Sequence, residues 1–430
     1  MAAIARTTDA VEDGGRRFTI TRVLVFSILF IVAGLALALI VLPQVPEGAA
    51  TTLVFGPSVP NLVVPVAGFT WLAVILYIAG GIVGLLPLPE RLQPVKSVWL
   101  IVNGALIVLL VLILTAINTN VNFTQTLQSS FRLMTPIAVG AIAGIWCERS
   151  GVVNIAIEGM MLTGACIGFT TVTLLAPYMP TQQSALWVGV VMAVLAGGLM
   201  AMLHAWISIV FGTNQVVSGT VINILALGLT SFIRREVLLS NQAGRETLQA
   251  VQIPVLSDIP IVGEIFFQGK PIYLMMFVLI IATHVIIYFT RWGLRTRAIG
   301  ENPHAADTLG VKVNRMRWIN VTIGGLIAGL GGAWFSLEFI GTFEDNMIGG
   351  LGFIALAAAI FGKWTPFGAA LGALLFGFSQ ALNVRFQIAS VPIPPQFVQM
   401  IPYILTIVIL AGVVGRAVAP KASGIPYRKE

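Results

Sequence analysis

The sequence predicts an all-α, polytopic membrane helix bundle with about twelve candidate spans, in a range of ten to twelve, and with both termini in the cytoplasm. Of the 430 residues, 57% are hydrophobic and only 10% are charged, whereas a soluble domain carries about 25% charged residues. The mean hydropathy is +0.95. Apolar runs of about 18 residues or more recur along the whole chain. These observations exclude an ordinary soluble domain.

Twelve apolar segments follow one another along the chain, each close to the length of about 20 residues that crosses a membrane as a helix. They cover residues 22–43, 62–87, 98–117, 131–147, 152–175, 186–211, 215–233, 272–290, 318–340, 347–362, 366–384 and 397–415. The regions near 152–162 and 347–364 are rich in glycine and interrupted by polar residues. This pattern is typical of discontinuous helices that line a cavity.

The positions of lysine and arginine predict the orientation, because cytoplasmic loops carry an excess of both. Basic residues cluster before the first span, between residues 291 and 317, and after the last span. They are Arg6, Arg16, Arg17 and Arg22; Arg291, Arg295, Arg297, Lys312, Arg315 and Arg317; and Arg416, Lys421, Arg428 and Lys429. The alternate loops at 44–61, 118–130, 176–185 and 341–346 contain neither lysine nor arginine. We place the longer loop 234–271, which carries both signs of charge, outside.

The sequence lacks the side-chain patterns of a catalytic, metal or nucleotide site. The three histidines are scattered, and the two cysteines, Cys147 and Cys166, lie in apolar context. No phosphate-binding loop of the Gly-x-x-x-x-Gly-Lys-Ser/Thr type occurs. No basic patch carries the interleaved aromatic residues of a nucleic-acid site, despite a net charge of +7. We therefore expect no enzyme activity, cofactor, metal or nucleic acid on this chain.

Polar residues inside the apolar segments are the first candidate functional feature, because such residues usually face a cavity or a protein partner. The candidate pathway residues are Asn154, Glu158, Asn214, Gln215, Ser218 and Asn223. A helix through residues 154–158 would put Asn154 and Glu158 on one face. In the same way, Asn214 and Ser218 would share a face of a second helix. Uncharged amides and hydroxyls suit a neutral, hydrogen-bonding solute. The alternative is that they form interhelical hydrogen bonds that hold the bundle together.

A short segment in the basic loop is the second candidate feature. Asn302 and Pro303 predict the start of a short helix, and Gly310 predicts its end. Ala305, Ala306 and Leu309 would form a small apolar face. Such a helix is suited to docking in a groove of another protein; the alternative is a helix lying on anionic lipid. The candidate docking residues are Gly300, Glu301, Asn302, Pro303, Ala305, Ala306, Leu309 and Gly310.

A faint internal similarity links the two halves of the chain. The segment Gly140–Trp146 resembles the segment Gly325–Gly331, and each is followed by an acidic residue and a glycine-rich polar break. Transporters are often built from internal repeats, but two glycine-rich helices can also resemble each other by chance.

Three ordered motifs resemble those of one family. Residues 148–161 read Glu-Arg-Ser-Gly-Val-Val-Asn-Ile-Ala-Ile-Glu-Gly-Met-Met, residues 213–223 read Thr-Asn-Gln-Val-Val-Ser-Gly-Thr-Val-Ile-Asn, and residues 300–310 read Gly-Glu-Asn-Pro-His-Ala-Ala-Asp-Thr-Leu-Gly. The chain thereby resembles, from about 127 to 414, permease subunits of bacterial ABC importers for nucleosides and simple sugars, within the branched-chain amino acid/ribose permease-like family. The first motif resembles the nucleoside branch, and within it the shorter of two paired permeases.

The resemblance implies a multi-pass subunit in the bacterial cytoplasmic (inner) membrane that imports nucleosides by alternating access. It implies three partners: a second related permease that forms a heterodimer with this chain, an extracytoplasmic solute-binding lipoprotein, and a cytoplasmic ATP-binding subunit that holds ATP-Mg. The alternatives are a sugar permease of the same family, an ion-coupled secondary transporter, for which only Glu158 offers an intramembrane titratable group, and a membrane enzyme or scaffold.

The expected organisation has four parts. Residues 1–120 form an N-terminal extension with about three extra spans, which the resemblance does not explain. Residues 121–417 form the permease core, in which 291–317 is the cytoplasmic coupling loop. Residues 418–430 form a basic cytoplasmic tail.

Overall fold

The computed structural model describes residues 22–56, 59–86, 116–240, 246–388 and 418–429, with 89, 99, 102–104, 106–107, 109–110, 112–114 and 400. The described chain is mostly helical. Its helices are α1 (Arg22–Ala36), α2 (Val66–Leu85), α3 (Phe123–Glu148), α4 (Ile157–Leu175), α5 (Gln182–Ala205), α6 (Gln215–Ile233), α7 (Pro271–Phe289), α8 (Arg291–Glu301), α9 (Pro303–Thr308), α10 (Val313–Ala333), α11 (Leu351–Phe361) and α12 (Pro366–Ile388).

Five short strands accompany the helices. They are β1 (Ala50–Val54), β2 (Leu62–Pro65), β3 (Asn120–Asn122), β4 (Val251–Gln252) and β5 (Gln268–Gly269). The first three form one sheet in the order β2-β1-β3. Strand β1 runs parallel to β3, with Thr52 opposite Asn120. Strands β4 and β5 pair antiparallel.

Nine helices in the described part of the chain are long and apolar enough to cross a membrane, and each corresponds to a predicted span. The predicted span 347–362 is instead the 11-residue helix α11. Eleven residues extend about 16 Å along a helix, roughly half of the hydrocarbon thickness of about 30 Å. The predicted span 98–117 lies partly outside the described residues, and the predicted span 397–415 lies outside them except for Met400. The basic residues Arg6, Arg16, Arg17 and Arg416 also lie outside the described residues.

Three predicted boundaries are wrong for local reasons. Helix α3 begins at Phe123 rather than 131, because the Asn122 side chain accepts a hydrogen bond from the backbone of Gln125 at 2.8 Å and caps it. The predicted span 62–87 begins as a strand, and its helix starts at Val66. The span expected from 152 starts as a helix only at Ile157.

The contacts within the chain divide it into two compact units. One unit comprises Met1–Ala49 and Pro65–Leu114, and the other comprises Ala50–Val64 and Thr115–Glu430. In the first unit α1 packs on α2, where the rings of Phe30 and Tyr77 lie 5.5 Å apart.

In the second unit the same packing arrangement occurs twice. Helix α3 packs along α12 and α11, while α10 packs along α5 and α4, and α3 and α10 also contact each other. These two helices carry the glycine-rich segments that resemble each other in the sequence. The two segments that resemble each other in the sequence therefore lie on helices with corresponding packing partners.

Helices α4, α5 and α10 approach so closely that side chains would not fit between them. A Cβ added to Gly164 would lie 2.8 Å from Cα of Gly329, and one added to Gly197 would lie 2.5 Å from the carbonyl oxygen of Gly325. Close backbone approach at small residues is the usual packing mode of membrane helices. It fixes the position of α4, whose first turn belongs to the candidate site.

Candidate functional site

The chain between α3 and α4, residues 149–156, forms a non-helical connection that we call the inner segment. It begins with a turn in which Gly151 has a φ of +87°, a conformation that glycine adopts at no steric cost. A discontinuous backbone inside a bundle leaves N–H and C=O groups that need partners. In this protein, local backbone groups supply part of those partners, and side chains from the three helices α5, α6 and α10 supply others.

Three polar residues of α5 and α6 bind the middle of the inner segment. The Gln215 side-chain oxygen accepts a hydrogen bond from the Val153 backbone N–H at 2.6 Å, and Nε2 of His204 lies 3.1 Å from the Val153 carbonyl oxygen. Asn223 donates from Nδ2 to the Ile155 carbonyl at 3.0 Å and accepts from the Gly159 N–H at 2.8 Å. A single amide thus ties the end of the inner segment to the start of α4.

Glu158, in the first turn of α4, binds the start of the short helix α11. Its two carboxylate oxygens accept hydrogen bonds from the backbone N–H groups of Gly350, at 2.8 Å, and Gly352, at 2.7 Å. These N–H groups have no partners within the helix, and a carboxylate is favourable at the positive end of a helix. The carboxylate, whose residue is 7% exposed, therefore has two charge-assisted bonds within the bundle.

Of the remaining predicted pathway residues, Ser218 and Asn154 are buried, whereas Asn214 is exposed. Ser218 is buried and its Oγ lies 3.0 Å from Nδ1 of His204. Asn154 is fully buried, with Nδ2 3.2 Å from Sγ of Cys147. Because Asn154 precedes α4, the expectation that it shares a helical face with Glu158 is wrong. Asn214 is exposed and caps α6, accepting from the N–H of Val216 at 2.9 Å.

The residues that bind the inner segment include two that the pathway prediction missed. His204 is fully buried, and its two ring nitrogens link Ser218 to the inner segment. Arg317, near the start of α10, donates from Nε to the Ser150 carbonyl at 3.1 Å. An ionisable residue within or beside an apolar segment was the available signal for both.

The residues that follow the C-terminal end of α11 contact the N-terminal end of the inner segment. Glu148 accepts a hydrogen bond from Nε1 of Trp364, and Arg149 donates to the carbonyls of Trp364, at 2.9 Å, and Lys363, at 3.1 Å. Lys363 and Trp364 have φ values of 52° and 53°, which are uncommon for residues other than glycine. The two irregular connections therefore lie side by side.

The predicted docking segment forms the short helix α9 as expected at both ends. The side chain of Asn302 accepts from the Ala305 N–H at 3.0 Å, Pro303 occupies the first turn, and Gly310 follows with a φ of +81°. Leu309 is 85% exposed. Gly300, at the end of α8, is buried so closely against the Arg149 carbonyl that a Cβ would not fit.

The predicted apolar face of α9 is partly wrong. Ala305 and Leu309 are exposed, but Ala306 is 3% exposed and packs with Ile299 and Val313. A helix of six residues has one exposed and one covered side, and 306 falls on the covered side. Of the three predicted apolar-face residues, Ala305 and Leu309 are therefore the ones exposed for contact with another protein, and the docking candidates Glu301, Asn302 and Gly310 are exposed beside them.

A second buried carboxylate caps a helix elsewhere in the bundle. Glu338 accepts hydrogen bonds from the backbone N–H groups of Ile272, at 2.6 Å, and Tyr273, at 3.1 Å, at the start of α7. Beside it, Lys270 donates to the Thr247 hydroxyl at 2.7 Å. Burial lowers the pKa of Lys270, and the Glu338 carboxylate opposes that shift. The Glu338 carboxylate thus supplies hydrogen-bond acceptors for two backbone N–H groups in the first turn of α7.

The described residues contain no group of three or more His, Cys, Asp or Glu side chains that could hold a metal ion. The arrangement is thus a set of helix caps and backbone bonds between discontinuous elements, joined through Gly300 and Arg149 to a capped, exposed helix in a basic loop. These contacts connect the basic loop to the irregular connections inside the bundle.

Comparison with known proteins gives close relatives over most of the chain. The guanosine ABC transporter permease protein NupQ of Bacillus subtilis is 42% identical over 302 residues, covering 68% of this chain and 93% of the relative. The nucleoside ABC transporter permease protein NupC of Lactococcus lactis is 40% identical, covering 72% and 99%. The putative glucose ABC transporter permease protein TsgC13 of Haloferax volcanii is 31% identical, covering 66% and 90%.

The same two bacteria each have a second, less similar permease, NupP at 27% and NupB at 23% identity. No solved structure matches the chain. Residues 126–410 match the family model described as the permease component of the branched-chain amino acid transport system. With its apolar helices and this match over most of its length, the chain is a multi-pass membrane protein that belongs to the branched-chain amino acid transport system permease family.

Proposed function

We propose that this chain is the transmembrane subunit of an ATP-driven importer that moves nucleosides across the membrane by alternating access. The choice of solute rests on two relatives. The chain is 42% identical to a permease named for guanosine, over 93% of that protein's length, and 40% identical to a permease named for nucleosides, over 99% of its length. The glucose permease at 31% identity favours a simple sugar as the second candidate.

The proposal includes three partner proteins. A cytoplasmic ATP-binding subunit hydrolyses ATP, since this sequence has no phosphate-binding loop of its own. A second related permease completes the membrane pair; the paired permeases NupQ with NupP and NupC with NupB support it. An extracytoplasmic lipoprotein delivers the solute.

The pathway residues act in this proposal mainly by shaping the path. Asn154, Glu158, Gln215, Ser218 and Asn223 are buried, and four of these five bind the inner segment, its neighbour His204, or the start of α11. A change in the inner segment would therefore displace α4 and α11 together, which is the kind of movement that opens one side of a path and closes the other.

The solute assignment is tested with the complete complex of both permeases, ATP-binding subunit and lipoprotein in proteoliposomes. We expect ATP-dependent uptake of radiolabelled guanosine or uridine, and none of glucose or ribose. Uptake of a sugar in place of nucleosides would favour the second candidate. Uptake driven by an ion gradient without ATP would contradict the importer assignment.

The docking of the ATP-binding subunit on α9 is tested by Ala305→Glu. Ala305 is exposed, so a charge there leaves the fold intact but opposes apolar contact. We expect the variant permease to reach the membrane in normal amount while uptake per ATP hydrolysed falls. The matched control is Ala250→Glu, the same change at an exposed position preceding α7. Normal coupling in Ala305→Glu would contradict the docking assignment.

A further inference from the structure

The C-terminal residues 418–429, which we call the C-terminal strap, pack on the loop that carries α8 and α9. Tyr427 is 7% exposed and belongs to a small apolar core with Ile299, Ala306, Val313 and Met316. Its ring lies 5.1 Å from that of His304. The strap therefore contributes Tyr427 to the small apolar core in which Ala306 is buried.

Two polar contacts attach the strap to this loop, one at Gly300 and one at Asp307. The Ala422 N–H donates to the Gly300 carbonyl at 2.8 Å. Gly300 is the same residue of α8 that packs closely against the Arg149 carbonyl. Nζ of Lys429 lies 3.6 Å from the Asp307 carboxylate, on α9. This ion pair is largely exposed and contributes little by itself, so the backbone bond and the Tyr427 ring carry most of the attachment.

The strap also binds the inner segment, through Arg317. This arginine is 1% exposed and donates from Nε to the Ser150 carbonyl and from Nη1 to the Ile425 carbonyl, at 3.1 and 3.0 Å. At Gly151, an added Cβ would lie 2.6 Å from Nη2 of Arg317 and 3.1 Å from the Ala422 carbonyl oxygen. One side chain thus joins α10, the strap and the inner segment without space between them.

A helix as short as α9 cannot hold a fixed position without such support. Six residues form at most two turns, and isolated helices of fewer than about 12 residues are marginal in water. A force on the exposed Ala305 and Leu309 would turn or unfold α9 unless its other side were held. That side is held by Ile299 of α8, by Val313 and Met316 of α10, and by Tyr427 of the strap. The strap in turn is bonded through Arg317 to the inner segment.

We propose that the C-terminal strap is a positioning element of the transport cycle, in which Tyr427 and Arg317 clamp α9 to the inner segment so that displacement of α9 moves that segment. The inference rests on the proposed docking of the ATP-binding subunit on α9. It assigns a mechanical role to a segment that lies beyond residue 410, where the family match ends.

The test compares Tyr427→Ala and Tyr427→Phe in the complete reconstituted complex. Two quantities are measured: the amount of ATP-binding subunit that copurifies with the permease, and the solute imported per ATP hydrolysed. We expect Tyr427→Ala to keep the copurification but to lose import per ATP, and Tyr427→Phe, which keeps the ring, to restore it. Lys421→Ala, at an exposed strap position, is the matched control and should behave as the unaltered protein.

A merely structural role of the strap predicts a different result, in which copurification and import fall together while import per ATP stays constant. That result would overturn the proposal. If Tyr427→Ala yields no assembled complex, Tyr427→Leu keeps apolar area without the ring and serves in its place. Normal import per ATP in an assembled Ala or Leu variant would also overturn the proposal.

Ala305→Glu, measured in parallel, separates this inference from the proposed function. If Ala305→Glu uncouples import and Tyr427→Ala does not, only the strap inference fails. If both variants import normally, the docking assignment fails and the strap inference fails with it. If both uncouple import and Tyr427→Phe restores it, both hold.

Discussion

Glu158 shows how one residue can keep a charge inside an apolar bundle. Both carboxylate oxygens are used by N–H groups at the start of α11, so the carboxylate and the helix end satisfy each other. Each group alone would be costly in a membrane. The pair therefore fixes the position of α11 on α4.

Replacement of Glu158 by glutamine tests this pairing. The amide offers one acceptor instead of two, and its NH₂ group would face the N–H of Gly350 or Gly352. Leaving a buried donor unsatisfied costs about 1–3 kcal/mol, so we expect a lower thermal midpoint for the purified Glu158→Gln complex. The control is Glu344→Gln, at an exposed position. Equal midpoints for the two variants would contradict the capping role.

Asn223 is tested by a change that removes only its donor. In Asn223→Asp the side chain can still accept from Gly159, but a carboxylate oxygen would face the Ile155 carbonyl. We expect the inner segment to loosen and a cysteine introduced at Ile155 to react faster with a maleimide. The native Cys147 and Cys166 are buried and should contribute little background. Thr220→Ala, at an exposed position of α6, should leave the labelling rate unchanged.

At the scale of elements, the crossing of α10 with α4 and α5 depends on the absence of side chains. In Gly329→Ala the new Cβ would collide with the Ala193 carbonyl oxygen, and overpacking of this kind costs about 1–3 kcal/mol. We expect less folded permease after heating in detergent. The matched control, Gly228→Ala on α6, meets nothing within 4 Å and should be neutral or stabilising by about 0.5–1 kcal/mol. Equal effects would argue against close packing as the cause.

The long apolar helices could be predicted from the sequence because hydropathy and length suffice for them. The short helix α11 could only be expected as a break, since its start depends on a carboxylate 192 residues away. The ends of α9 were predictable from Asn302 and Gly310, whose effects are local. The burial of Ala306 was not, because it requires an apolar cluster that brings Ile299, Val313, Met316 and the distant Tyr427 together.

At the scale of the whole molecule, the front of the chain stands apart from the family match, which begins at residue 126. We expect a chain starting at Thr115 to insert, to copurify with the ATP-binding subunit and to transport. It lacks β1, so β3 loses its partner strand and the Thr124 hydroxyl loses the Phe55 carbonyl at 2.8 Å. Its thermal midpoint should therefore be lower.

The measurement for this shortened chain is uptake after coexpression with the partner subunits, with the full chain as reference. Failure to copurify with the ATP-binding subunit, while the shortened chain is present in the membrane, would show that residues 1–114 belong to the functional core.

The two helix caps also set an order for the synthesis of the chain. Glu158 enters the membrane 192 residues before Gly350, so its charge waits without its final partners until α11 has left the ribosome. The start of α7, in contrast, precedes its cap Glu338 by 66 residues. Glu158 and the start of α7 gain their final hydrogen-bond partners only after the second half of the bundle has been synthesised. A nascent chain that ends between residues 273 and 338 would therefore carry two sites in lipid whose hydrogen-bonding groups lack their final partners.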